Sequence, residues 1–345
     1  MIWLNERDTI KAGAEDMGEC VKVMEGVFKD LANGKTRMTG ATGCDHGATI
    51  HLPDAGPDDR YACMAGTFLK KEGGATGMKW YGSMGGNRDV GLPRSNHIIC
   101  LNDKFGVPKA LMCGNTISAM RTGAVAGVAV KHLGKRKGIT VGMIGAGRIA
   151  ERAVKGIESV AEIEMLKVKA TSMRSSEAFL KRVKGAWISC AVDDAEGVEL
   201  AVRGSDIIVV AVDGKEPLET LREKWVKDGN VVIIMLSAGK VERKIMQRGM
   251  VVFDNMFMQM KWREEQRGLE DGCRRFEWAG FEALKDDRLT TSQLGLILTN
   301  RIAKRSVRHP CVVAAGGMVL EDIAWAEHVY QTARENNIGT RLQFF

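Results

Sequence analysis

Ile139-Thr140-Val141-Gly142-Met143-Ile144-Gly145-Ala146-Gly147-Arg148-Ile149-Ala150 decides the fold. The stretch opens as an apolar, partly β-branched run and continues as G-x-G-x-x-A. It then passes into Glu151-Arg152-Ala153-Val154-Lys155-Gly156-Ile157, which reads as a helix. Strand, glycine turn and helix in that order form the opening unit of a dinucleotide-binding α/β fold. Gly145 permits the tight turn, Gly147 lets the main chain approach a pyrophosphate, and Ala150 lets the helix pack closely on its strand. The helix N-terminus offers free N–H groups and a positive dipole end to phosphates, so Ala146, Arg148 and Ile149 join the two glycines as expected cofactor contacts.

Downstream, 162–170 reads as the next strand and ends near Ser172-Met173-Arg174-Ser175. An acidic residue at this strand end would bind the ribose 2′-OH of NAD. None is present. Arg174 flanked by Ser172 and Ser175 suits a 2′-phosphate instead, so NADP(H) is favoured and NAD(H) stays open. Residues 193–204 read as a helix. The buried strand 206–212 brings Ala211 and Val212 to the cofactor crevice, with Asp213-Gly214 following. Strands are expected at 230–236 and 251–255, where Asp254 reads as a loop cap. Exposed helices are expected within 257–287, and a further helix over 291–305.

Upstream, 15–31 carries apolar residues at helical spacing. Short candidate strands follow at 49–52, 62–68, 77–81, 97–101 and 108–112, close enough to form an antiparallel sheet. Residues 116–130 read as a helix of small side chains, interrupted by a single charge, Arg121.

The 345 residues suit two domains, and a 45% hydrophobic content is ample for packed cores. The eight cysteines form no C-x-x-C and no metal-binding spacing, so no metal is expected. The net charge of +7 is spread among acids, without a basic tract interleaved with aromatics. It fits an anionic cofactor and a carboxylate substrate better than a nucleic acid. No apolar run approaches the ~20 residues that span a bilayer. No basic segment followed by an apolar stretch marks a signal peptide. A soluble cytoplasmic protein without membrane contact is expected.

Several short motifs fall in a diagnostic order: Gly77-Met78-Lys79-Trp80, Gly91-Leu92-Pro93-Arg94-Ser95, Leu101-Asn102-Asp103-Lys104-Phe105-Gly106-Val107-Pro108, and Ser118-Ala119-Met120-Arg121-Thr122-Gly123-Ala124. Gly-Ala-Gly follows about 20 residues later, and the tail carries Gly316-Gly317-Met318-Val319-Leu320-Glu321-Asp322 and Asn337-Ile338-Gly339-Thr340. This set resembles the ornithine cyclodeaminase/μ-crystallin family over nearly the whole chain. The resemblance implies an α/β architecture: a Rossmann domain over 123–310, and an α+β substrate-binding and dimerisation domain over 1–122, completed by 311–345. It implies a homodimer joined through the N-terminal sheet, and NAD(P)(H)-dependent chemistry at the Cα–N bond of a small amino or imino acid.

The resemblance also places two arginines and a lysine around the substrate α-carboxylate. Lys79 and Arg121 match two of these, and Arg37 is the match for the third. The chemistry suits the roles, because a carboxylate needs a bidentate guanidinium and a nearby ammonium away from water. Neighbouring cations would also lower the Lys79 pKa and poise it for proton transfer. His51 falls near the glutamate that holds the distal amine of ornithine, and a histidine there argues against ornithine. Met318 lies where the chain of the family passes the nicotinamide. At 237–240 this sequence has Ser-Ala-Gly-Lys where the cyclodeaminase motif has a catalytic aspartate. A reductase or dehydrogenase is therefore expected, with an opine-like N-substituted amino acid among the candidate substrates. A redox-neutral ammonia lyase and a non-catalytic NADPH- or ligand-binding protein are the alternatives.

Overall fold

The computed structural model describes residues 1–343 except 53–55, 57–58, 70–73, 193–196, 213–220, 236–240, 270–278 and 303–308. Two sheets organise it. The first uses β1 (Ile2–Leu4), β2 (Thr36–Met38), β3 (Ala48–His51), β4 (Arg60–Phe68), β5 (Thr76–Ser83), β6 (Ser95–Asn102) and β7 (Pro108–Cys113). The second uses β8 (Ile139–Ile144), β9 (Ile163–Lys169), β10 (Ile188–Ala191), β11 (Ile207–Val210), β12 (Val231–Ile234), β13 (Met250–Phe253), β14 (Thr290–Gln293) and β15 (Cys311–Ala314). A last short strand, β16 (Thr340–Arg341), returns to the first sheet and pairs with β1.

The second sheet runs β10-β9-β8-β11-β12-β15-β13-β14, parallel throughout. Its order reverses between β8 and β11, which makes the crevice beyond their carboxyl ends the switch point where ligands bind in such sheets. The strands β8, β11, β12 and β15 are buried almost end to end, as a parallel sheet covered on both faces requires. Cys311–Ala314 thus belongs to the parallel sheet, and the return to the first layer starts after it rather than at 311.

The first sheet runs β16-β1-β7-β6-β5-β4-β2, with β3 on the far edge of β4. Strands β4 to β7 form the expected antiparallel meander, with period-two alternation. Lys79 and Ile99 face inward, where the Val319–Glu335 helix crosses β4, β5 and β6. Ile50, Tyr61, Met78, Trp80 and Ile98 face outward and are exposed, with the Tyr61 and Trp80 rings stacked at 5.7 Å.

The Asn115–Leu133 helix joins the two sheets, and its small residues do so by close approach. A Cβ on Gly127 would lie 2.5 Å from the Gly156 carbonyl oxygen, in the helix that follows the glycine turn. That contact brings helix backbones together as the composition predicts.

Two expectations fail. Thr290–Gln293 is a strand paired with β13, and the helix beyond it covers only Leu294–Leu298 among the described residues. Within 257–287 the helix Met256–Arg267 is not simply exposed, since Met258 and Gln259 are fully buried. No described helix is long and apolar enough to cross a membrane.

Candidate active site

The inward faces of β5 and β6 carry a lysine, and the helices above supply its partners. Lys79 Nζ donates to Asp322 Oδ2 at 2.6 Å. Arg121 Nε donates to the other oxygen, Asp322 Oδ1, at 3.1 Å, and its Nη1 donates to Glu321 Oε2 at 2.6 Å. All four side chains are buried. Glu321 and Asp322 occupy the first turn of the Val319–Glu335 helix, where the positive dipole end favours carboxylates.

The charges of this cluster set one another. Burial opposes ionisation of Asp322, but Arg121 and Lys79 together hold it below the usual carboxylate range. Burial pulls Lys79 below the ordinary ammonium range; Arg121 adds to the drop and Asp322 resists it. Arg121 stays charged, since its two carboxylate partners outweigh burial. Glu321 is pushed up to about 7 by burial, with Asp254 and Asp322 adding repulsion that Arg121 only partly offsets.

Arg121 also touches the turn that leaves the parallel sheet. Gly317 has φ +79°, and a Cβ there would lie 2.4 Å from Arg121 Nη1, so both conformation and contact require glycine. Asp254, at the exit of β13, holds this turn: its carboxylate accepts from Gly317 N at 2.6 Å, from Asn255 N at 2.6 Å and from Gln259 Nε2 at 2.8 Å. Its reading as a loop cap stands. Met318, the next residue, is fully buried and packs its sulfur 4.0 Å from Asn255 Nδ2.

The glycine turn after β8 lies at this same carboxyl edge. Gly145 has φ +111°, and a Cβ on it would meet the Ala211 carbonyl oxygen at 2.2 Å and Val212 Cγ1 at 3.1 Å. Ala211 and Val212 are therefore pressed against the turn at the switch point. Gly147 is the N-cap of the Arg148–Glu158 helix; no side chain caps it and nothing lies within 4 Å of where its Cβ would be. Uncapped N–H groups in open space fit a dinucleotide pyrophosphate. Ala146 and Ile149 flank the opening, and Arg148 is exposed beside it. Ser172 caps the Met173–Arg182 helix by accepting from Ser175 N at 3.2 Å, and Arg174 is exposed in its first turn.

Arg37 and His51 do not join the clamp. Arg37 pairs across from Thr67, on the face of β4 opposite to Met64, whereas Met64 is the cross-strand partner of Lys79. Its guanidinium is spent on the carbonyls of Thr36 and Gly34. His51 pairs with Arg60, four residues along β4 from Met64, or roughly 13 Å at strand rise. Residues 213–214 and the Ser-Ala-Gly-Lys departure at 237–240 lie outside the described residues.

Sequence reasoning missed five neighbours. His97 lies inward beside Tyr81 and hydrogen-bonds Asn115 Oδ1 through Nδ1 at 3.0 Å; burial holds it down to about 4. His46 is buried and within reach of the charges of Lys79 and Arg121. Arg182 donates to the Ala146 carbonyl at 3.0 Å and so places a cation on the phosphate turn. Glu321 and Asp322 stood in a quoted motif, but without a role. Among the described residues, no three His, Cys, Asp or Glu side chains gather as a metal site.

Known proteins resemble this chain over most of its length. The alanine dehydrogenase of Archaeoglobus fulgidus is 24% identical over 277 residues, covering 79% of this chain and 81% of that protein. The N-((2S)-2-amino-2-carboxyethyl)-L-glutamate dehydrogenase of Staphylococcus aureus is 25% identical over 292 residues, 83% of each chain. The structure of Thermococcus litoralis Δ(1)-pyrroline-2-carboxylate reductase, in complex with NADH and L-proline, superposes with a TM-score of 0.79 at 23% identity, over 99% of this chain and 100% of that one. At that identity it shows a shared fold. The profile of the Ornithine cyclodeaminase/mu-crystallin family matches residues 13–337, nearly the entire chain. The chain belongs to the ornithine cyclodeaminase/mu-crystallin family.

Proposed function

We propose that this protein is an NAD(P)-dependent oxidoreductase acting on the Cα–N bond of a small α-amino or α-imino acid. One observation carries the reading. Arg121 touches the Gly316–Gly317 turn beyond β15, so the cationic clamp stands at the same sheet edge as the glycine turn after β8.

The residues divide the work. Arg121 offers a fixed guanidinium fork and Lys79 an ammonium, both desolvated, and a substrate carboxylate docks between them. It competes there with Asp322 and Glu321, and the raised pKa of Glu321 lets that group take up a proton as the new anion enters. Lys79, below its ordinary pKa, is the residue that accepts or returns the proton of the substrate nitrogen. Gly145, Gly147 and the helix start hold the cofactor phosphates, with Arg182 adding charge. When bound, the nicotinamide supplies the hydride exchanged with Cα. Holding the carboxylate fixed orients Cα for that exchange.

Arg174 and the Ser172 cap support NADP(H) over NAD(H) within this reading. The apolar outer face of the first sheet supports a homodimer, since monomers rarely expose so many large apolar side chains together. The first sheet with the C-terminal helix forms the substrate and dimer domain, and the parallel sheet the cofactor domain.

The test is oxidation of NADPH and NADH against cyclic and linear imino acids, including pyruvate with amines. Turnover with any of them is expected. Tight cofactor binding without turnover, or ammonia release from ornithine with no change in nicotinamide, would replace the reading by the binding protein or the lyase.

A further inference from the structure

The loop before β3 carries a histidine that the clamp and the cofactor turn leave unused. Thr39 and Asp45 pair as an isolated antiparallel bridge and close the loop, and His46 follows. Its side chain is 7% exposed, and its Nδ1 has no hydrogen-bond partner. Its ring stacks on Trp262 with centroids 4.5 Å apart and planes 4° from parallel. Trp262 belongs to the Met256–Arg267 helix that follows β13, and Phe281 braces it edge-on at 5.2 Å. The stack therefore joins an element of the first sheet to one of the second.

Register fixes its place. A Cβ on Gly47 would lie 2.3 Å from the Cys63 carbonyl oxygen and 3.1 Å from Met64 Cα. Met64 is the cross-strand partner of Lys79, so His46 stands one residue from the row that holds the clamp lysine. Lys79, Arg60 and Arg121 all act on the ring, and Asp322 is the facing carboxylate; burial is the main cause that holds the imidazole down to about 3. The ring is neutral at working pH, with one nitrogen a donor and the other an acceptor.

A buried polar atom without a partner is costly, and native folds keep few. Among the described residues, His46 Nδ1 and Glu321 Oε1 at this clamp are two such atoms. A bound molecule that completes them accounts for both.

We propose that His46, backed by Trp262, is a specificity-determining residue whose Nδ1 hydrogen-bonds the bound amino or imino acid beside its carboxylate, and which restricts the substrate to side chains without a distal ammonium. The proposal rests on the amino- and imino-acid reading above. A neutral imidazole gives an ammonium no charge to pair with. Lys79, Arg60 and Arg121 repel it; of the clamp carboxylates, Asp322 is engaged by two cations, and Glu321 is paired with Arg121 and pushed up to about 7. Side chains that are neutral or anionic meet no such penalty.

The test uses the whole protein saturated with NAD⁺ and titrates L-alanine, L-glutamate and L-ornithine by calorimetry, with steady-state turnover alongside. Wild type binds alanine or glutamate at least about tenfold more tightly than ornithine. His46→Phe keeps a stacked ring and removes both nitrogens. It weakens the favoured ligand about tenfold, the loss expected for one hydrogen bond to a buried group. KM rises by the same factor, while kcat and NAD⁺ affinity stay within about twofold, and His46→Asn recovers most of the loss. Should Phe disturb the fold, as lost NAD⁺ affinity would reveal, His46→Ala carries the same expectation. Unchanged amino-acid affinity in both variants, or a wild type that prefers ornithine, overturns the assignment. Binding that depends on His46 without nicotinamide turnover removes only the oxidoreductase reading. A wild type that binds none of the three overturns both.

Discussion

Lys79 donates to Asp322 at 2.6 Å in a setting where both side chains are buried, and Arg121 engages the other oxygen of the same carboxylate at 3.1 Å. One carboxylate thus bridges two cations that belong to a β-strand and to a separate helix. Asp322→Asn keeps the shape and removes the charge. Breaking a buried pair by removing one partner costs ~3–5 kcal/mol, because the remaining charge is left uncompensated. Urea unfolding of the ligand-free variant is expected to show a loss of that size. A carboxylate ligand supplies the missing anion, so millimolar substrate should restore part of the loss by linkage, more than it stabilises wild type. Equal stabilisation of the two proteins would show that the ligand does not occupy the clamp.

Arg121→Lys separates charge from shape. The fork of Arg121 contacts Asp322 and Glu321 through different nitrogens, a geometry that an ammonium cannot copy. The variant is expected to raise KM for the amino or imino acid at least about tenfold, with cofactor affinity intact. A KM close to wild type would remove the guanidinium from the carboxylate site.

Three buried groups near the clamp set opposing slopes of stability against pH between about 4.5 and 6.5. His46 is held down to about 3 and His97 to about 4, so both are neutral in the fold and bind protons only when unfolded over this window. Groups with depressed folded pKa make the native state gain as pH rises through that range. Glu321, raised to about 7, acts the other way, because its folded form holds a proton that the unfolded form releases above its ordinary value. The two histidines thus tilt the stability curve upward with pH over this window, and Glu321 tilts it downward. Denaturation of Glu321→Gln across the window should give a more positive slope than wild type, and His46→Phe a less positive one. Parallel curves for all three would refute the assignment.

The Asn115–Leu133 helix packs on backbone, which makes it intolerant of one methyl group. A Cβ on Gly127 would lie 2.5 Å from the Gly156 carbonyl oxygen and 2.9 Å from Val21 Cγ2. A side-chain end can yield, but the carbonyl sits in a second helix. Gly127→Ala is expected to lose ~1–3 kcal/mol of stability to overpacking, despite its better helix propensity. A gain in urea midpoint would show that the helices separate freely.

Local chemistry made the parallel sheet readable, because each of its buried strands is a short apolar run closed by glycine or a polar turn. Lys79 and Arg121 were named through the resemblance, because they fall in the motifs Gly77-Met78-Lys79-Trp80 and Ser118-Ala119-Met120-Arg121-Thr122-Gly123-Ala124; a lone charge in either element reads equally well as a solvent-facing side chain. Other residues depended on facts that periodicity does not carry. Arg37 lies in a strand of three residues, too short for alternation to say which face it takes. His46 and His51 are five positions apart, and only the pairing of β3 with β4 decides which approaches Lys79. Asp322 reaches Lys79 across 243 positions, a contact made by folding alone. The strand at Thr290–Gln293 is not legible from periodicity, because four polar residues, two of them exposed and Ser292 buried, show their β character only once β13 supplies an edge.

Cofactor choice gives the remaining prediction. No acidic residue ends β9, and the chain turns at Ser172 into a helix whose first turn exposes Arg174. An NAD-selective site places a carboxylate there to bind the ribose 2′-OH, whereas a 2′-phosphate calls for a guanidinium and free hydroxyls. Ser172 and Ser175 already bond each other at 2.9 Å, so on the proposed NADP(H) reading the arginine is expected to carry most of the discrimination. Arg174→Ala is expected to weaken NADPH at least about tenfold and to leave NADH within about twofold, as fluorescence titration would show. Because Arg174 is exposed and lies outside both cores, thermal stability should not move. An equal loss for both cofactors would place the residue on the pyrophosphate. No loss for either would put it outside the pocket and reopen NAD(H) as the preferred cofactor.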